Sequence, residues 1–151
     1  MENRVEKAVE LFEKGYNCSQ AVFCAFSDKF GIDDETALKL SSGFGGGFGR
    51  LREVCGAFSG CTLLIGLATE TDLSDAAQAK KDVYEKVRKI KEEFEKRNGG
   101  SFICRELLGM EGPSKSHVPE ARTEHYKKTR PCAEIVRQAA IIMDGYIKGD
   151  F

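Results

Sequence analysis

The chain has 151 residues, 41% hydrophobic and 31% charged, with a formal net charge of −1. That length suits one domain, residues 1–151, burying roughly 70% of the surface its unfolded chain exposes. The near-zero charge removes a general drive toward nucleic acid or acidic lipid. The longest apolar run, residues 54–68, is broken by Gly56, Ser59, Gly60 and Thr62 and falls short of the ~20 residues that span a bilayer.

The chain reads as helical nearly throughout. Val5, Ala8, Val9 and Phe12 repeat at helical spacing, and Gly15 ends that first helix. Asn17 suits an N-cap, with Gln20 completing a capping box, and Cys18, Ala21, Val22, Ala25 and Phe26 form a stripe that runs to Gly31. Asp33 can cap a short third helix to Leu40. Residues 43–50 read Gly-Phe-Gly-Gly-Gly-Phe-Gly-Arg, a segment of special backbone conformation. No Gly-x-Gly-x-x-Gly fits there and no Lys-Ser/Thr follows, which excludes a nucleotide loop, although its amides can form an anion-accepting concavity.

A buried helix is expected from about Glu53 to Thr69. Ser74 is the expected cap of a long amphipathic helix to Arg97, with Ala79, Val83, Val87, Ile90 and Phe94 on its apolar side. Asp82 with Lys86, Glu85 with Lys89 and Glu92 with Lys96 describe a solvated face and not a nucleic-acid footprint. Ser101 is read as capping a short helix with Cys104, Leu107 and Leu108, closed by Gly109. Residues 110–130, with Pro113, Pro119, His117 and His125, form a long loop or a partly helical excursion. Pro131 suits the first position of a last helix whose face holds Cys132, Ile135, Val136, Ala139 and Met143. The fold class is all-α: a compact bundle of about six or seven helices with a glycine-rich loop before a central buried helix.

The N-terminal Met-Glu-Asn-Arg-Val-Glu-Lys has no apolar signal-peptide core, so a cytoplasmic protein is expected. In that reducing compartment cysteines are metal-binding, catalytic or buried more often than paired. Cys18, Cys55, Cys104 and Cys132 each fall where a helix is expected to begin. A helix N-terminus offers unpaired N–H groups and partial positive charge, both of which favour a thiolate. Four cysteines so placed suggest one site assembled by the fold: a metal or iron–sulfur centre, or a thiol–disulfide couple. No Cys-x-x-Cys pair is present, which weakens the zinc-ribbon and thioredoxin templates. Cys24 and Cys61 sit in mid-helix and read as core filling. Gly56 and Gly60, one turn apart beside Cys55, serve tight helix packing or clearance for a cofactor. Arg50, Arg52 and Glu53 flank the glycine segment as surface or supporting groups.

Asn17-Cys18-Ser19-Gln20-Ala21, Gly45-Gly46-Gly47, Cys55-Gly56-Ala57-x-x-Gly60, Cys104-Arg105-Glu106-Leu107-Leu108-Gly109 and Pro131-Cys132 together resemble the C_GCAxxG_C_C family, over essentially the whole chain. The family's name writes Gly before Cys, whereas this chain has Cys55 before Gly56. The resemblance implies a small bacterial or archaeal protein, often encoded near transporters, for which a redox role is proposed. A similar module joined to c-type haem segments is associated with an iron–sulfur cluster; this chain has no Cys-x-x-Cys-His. The expectation is a redox protein whose metal ligands are Cys18, Cys55, Cys104 and Cys132. They would hold an iron–sulfur cluster, 2Fe–2S in preference to 4Fe–4S, for electron transfer with an unidentified redox partner. A metal-free thiol–disulfide protein and a structural zinc module are the alternatives. The apolar content of the 54–68 segment and the last helix suggests a homodimer.

Overall fold

Apolar stripes at helical spacing bury only when helices meet, and here they meet around one largely apolar helix. The computed structural model describes residues 3–150. Among these are eight helices: α1 Arg4–Glu13, α2 Cys18–Cys24, α3 Asp34–Ser41, α4 Gly56–Ala68, α5 Ala76–Arg97, α6 Cys104–Leu108, α7 Glu124–Thr129 and α8 Cys132–Lys148. The fold is all-α. The eighth helix, α7, arises inside the polar 110–130 stretch. Extended pairing among the described residues is confined to one antiparallel bridge, Val54 to Ile103.

α4 is mostly apolar and is enclosed by other helices over its first three turns. Ala57, Phe58, Cys61, Leu64 and Ile65 are all buried. α2 lies along it, α1 and α8 pack together beside that pair, and α5 crosses α4 and α8. α5 buries only Ala79, Ile90 and Phe94, so its charged remainder faces water. Phe94 and Phe102 meet Phe58 edge-on, with ring centres 5.5 and 5.3 Å away.

Several boundaries move for identifiable reasons. Asn17 makes the expected capping box with Gln20, but α2 stops at Cys24, and a 3₁₀ turn, Ser27–Phe30, leads to left-handed Gly31. The cap of α5 is Asp75, whose carboxylate accepts from the Gln78 N–H, because the Ser74 hydroxyl donates to Asp72 instead. Ser101 accepts from the Ile103 N–H, so α6 opens at Cys104, and Pro131 occupies the cap position of α8. α4 begins at Gly56 because residues just before it are extended. They pair with the segment leading into α6 through Cys55 N–H to Phe102 O (2.8 Å) and Cys104 N–H to Glu53 O (2.6 Å).

The glycine-rich segment is a chain of left-handed turns. Gly46, Gly47 and Gly49 have positive φ, and so do Phe48, Arg50 and Arg52, at 67°, 70° and 61°. Each non-glycine residue held there costs about 1–2 kcal/mol. Hydrogen bonds from Arg52 N–H to Gly46 O (3.1 Å) and Glu53 N–H to Gly47 O (3.0 Å) hold the turns closed. A Cβ at Gly47 would stand 2.8 Å from the Cys104 Cβ and 2.7 Å from the Glu53 nitrogen. Only glycine lets this backbone pass so close to Cys104.

Candidate functional site

All four helix-start cysteines come to one place. Cys18, Cys104 and Cys132 are the first residues of α2, α6 and α8, and Cys55 is the cap of α4. The Cys55–Phe102 and Cys104–Glu53 backbone bonds set two of them side by side. The capping box of Asn17 fixes Cys18 against the start of α4, and Pro131 turns the chain to present Cys132. The four line a single cavity of about 300 Å³, together with Gly45, Gly46, Gly56 and a set of arginines. Cys55 and Cys104 are buried; Cys18 and Cys132 are half-buried.

Their protonation states differ for physical reasons. Cys18 and Cys55 are hydrogen-bonded to each other, which holds the Cys18 thiol below its usual range; the amides of Gly46 and Ser19 help, against the opposing effect of burial. The same bond, burial and the charge at Cys18 hold Cys55 well above its usual range. Burial raises Cys104, opposed by the Arg52 guanidinium, whose Nη1 lies 3.7 Å from its sulfur. Burial also pushes Cys132 up to about 11, and the charge at Cys18 adds to it, while a hydrogen bond from Tyr126 acts the other way. At neutral pH these directions favour a thiolate at Cys18 beside neutral thiols at the other three.

The polar stretch closes over this cavity. Arg50, Arg52 and Arg130 all reach Glu120, and Arg52 Nε donates to Ser114 Oγ at 2.9 Å. Arg50 also donates to Ser116 O at 2.7 Å and to Val118 O. Arg122 donates to Tyr16 O at 2.6 Å and to Phe12 O, stacking over the Phe12 ring. Residues 114–130 are thereby strapped to the glycine segment and to the end of α1. Glu120, Arg122, Tyr126 and Arg130 line the cavity and were not singled out by the sequence; nothing in their spacing marks them. Arg50 and Arg52, read as flanking groups, point into it. His117 lines it as well.

The two helix glycines separate. A Cβ at Gly56 would overlap Cys18 Sγ and stand 2.9 Å from Phe44 O, so glycine there keeps space beside the thiol. Gly60 instead lets α2 approach: its Cβ would meet Ser19 O and Val22 Cβ, each at 3.0 Å, away from the cavity. Gly60 is thus a packing position. Cys24 and Cys61 are buried in the core and absent from the cavity wall; burial raises the Cys61 thiol to about 12.

Zinc bound by four sulfurs at about 2.3 Å would need those sulfurs roughly 3.8 Å apart. Among the described residues no three His, Cys, Asp or Glu side chains gather closely enough to hold a metal ion. Four thiols on one cavity wall are nevertheless the donor type that iron–sulfur ligation uses. The profile of a family described as "Putative redox-active protein (C_GCAxxG_C_C)" matches residues 16–146. The chain belongs to the C_GCAxxG_C_C family. The matched span contains all four cavity cysteines, both helix glycines and the arginine strap. No curated protein and no solved structure matches the chain. Among the described residues no helix is long and apolar enough to cross a membrane.

Proposed function

We propose that Cys18, Cys55, Cys104 and Cys132 bind an iron–sulfur cluster, 2Fe–2S in preference to 4Fe–4S, and that the protein transfers single electrons. The observation that carries this is the convergence of four thiols, from four separate helix starts, on one cavity of about 300 Å³. When bound, the cluster would supply a one-electron couple; the chain supplies its ligands and surroundings. Gly56 keeps the space beside Cys18, the Gly46 and Ser19 amides donate to that sulfur, and Arg52 donates to the sulfur of Cys104. Donors of this kind and nearby cationic charge favour the more negative, reduced state.

A second reading is favoured by the Cys18–Cys55 contact. A thiolate hydrogen-bonded to a neighbouring thiol is poised for thiol–disulfide exchange. The readings part on anaerobic purification and reconstitution with iron and sulfide. The cluster reading expects two or four irons per chain (roughly, by cluster type) and visible absorption, both lost on serine replacement at any of the four cysteines and kept in Cys24 and Cys61 variants. An iron-free, colourless product that forms a Cys18–Cys55 disulfide by exchange with an added small-molecule disulfide, which is reduced to two thiols, and is restored by dithiothreitol would select the second reading. Stoichiometric zinc would select a structural metal module.

A further inference from the structure

On the strap side of the cavity three guanidiniums converge on one carboxylate. Glu120 lies 3.2 Å from Arg50, 3.7 Å from Arg52 and 2.7 Å from Arg130. The arginine side chains are only 15%, 7% and 16% exposed, whereas Glu120 is 40% exposed. Three enclosed cations therefore share a single, comparatively open anion. Planar guanidiniums offer paired N–H donors that match two oxygens of a carboxylate, sulfate or phosphate equally well. Arg130 holds Glu120 through one nitrogen, Nη2, which lies 2.7 and 2.9 Å from its two oxygens. Glu120 is carried on irregular backbone between Leu108 and Glu124, while Arg50 and Arg52 are held by the hydrogen-bonded left-handed turns and also donate to Ser116 O, Val118 O and Ser114 Oγ. Arg122 takes no part, being committed to the end of α1.

We infer that Arg50, Arg52 and Arg130 form a binding site for a small oxyanion, with the Glu120 carboxylate acting as its internal competitor. The ligand class is a compact anion with several equivalent oxygens, such as sulfate or phosphate. The site shares the cavity with the cysteines but stands on the arginines alone, so it does not depend on which redox reading holds.

The test is calorimetric titration of the full chain with inorganic sulfate and phosphate at low ionic strength, on both metal-free and iron-reconstituted protein. Glu120→Gln removes the competitor and is expected to bind about tenfold or more tighter than the native chain. Arg130→Gln removes the guanidinium with the shortest contact to Glu120 and is expected to bind about tenfold weaker. Circular dichroism checks that both variants are folded, and Lys128→Gln, outside the cavity, serves as the control for general charge. Equal affinity in the native chain and both variants, or no binding by folded Glu120→Gln, would overturn the inference and leave the arginines as a strap only. Failure to incorporate iron leaves the metal-free titration intact, so this inference and the cluster proposal fail separately.

Discussion

Replacing Gly56 with alanine distinguishes clearance for a bound group from tight helix packing. The added methyl would overlap Cys18 Sγ, with Phe44 O at 2.9 Å and Gly45 Cα at 3.3 Å on its other sides. Backbone atoms cannot yield, so the sulfur must leave its place. Overpacking of this kind costs about 1–3 kcal/mol, and alanine returns little of it as helix propensity because Gly56 is the first residue of α4 and not an interior one. The net loss is about 1–3 kcal/mol, a fall in Tm of up to about 12 °C for a domain of this size. Gly60→Ala meets Ser19 O and Val22 at 3.0 Å and should cost a similar amount, but it lies away from the cavity. The expected pattern is comparable melting shifts with divergent chemistry: Gly56→Ala loses iron and sulfide incorporation, Gly60→Ala retains it. Circular-dichroism melts and iron and sulfide analysis after anaerobic reconstitution read the two quantities independently. A Gly56→Ala protein that loads like the native chain would refute the reasoning that glycine there makes room beside a ligand.

The thiol environments give a pH signature in metal-free, reduced protein. Cys18, lowered to about 6 by its bond to Cys55, stays ionised above that pH and protonates below it. It should therefore be the first cysteine alkylated by iodoacetamide at neutral pH, its rate falling as pH drops through about 6, while Cys132 reacts only as pH approaches about 11. Peptide mapping across pH checks the order, and preferential labelling of Cys132 at pH 7 would contradict it. Asn17→Ala removes the cap of α2 and the 2.9 Å bond to Ser42 O, and should cost about 1–2 kcal/mol by chemical denaturation. A loss below ~0.3 kcal/mol would mean that packing of α2, and not its cap, sets the position of Cys18.

What could be read from the chain alone was local in origin. Helical spacing of apolar residues, the Asn17–Gln20 box, Gly31 and Gly109 as stops and the placement of cysteines at helix starts all depend on neighbours within a turn or two. Even there, near-ties went to the stronger local partner: Asp75 took the α5 cap expected of Ser74 because Asp72 captured the serine. The sequence also marked the cysteines as a group by their shared setting, although no short spacing joined them. Their convergence was decided by tertiary contacts between segments far apart in the chain. The extended residues before α4 pair with those before α6, and this aligns Cys55 with Cys104. Gly56 was told apart from Gly60 only by what packs against each. The arginine strap lay beyond sequence reasoning altogether, since Arg50, Arg52, Glu120 and Arg130 meet only when the polar stretch folds back across the cavity. Hydrogen-bonding partners within one turn are dictated by covalent neighbourhood, whereas partners across the cavity depend on how the whole chain closes upon itself.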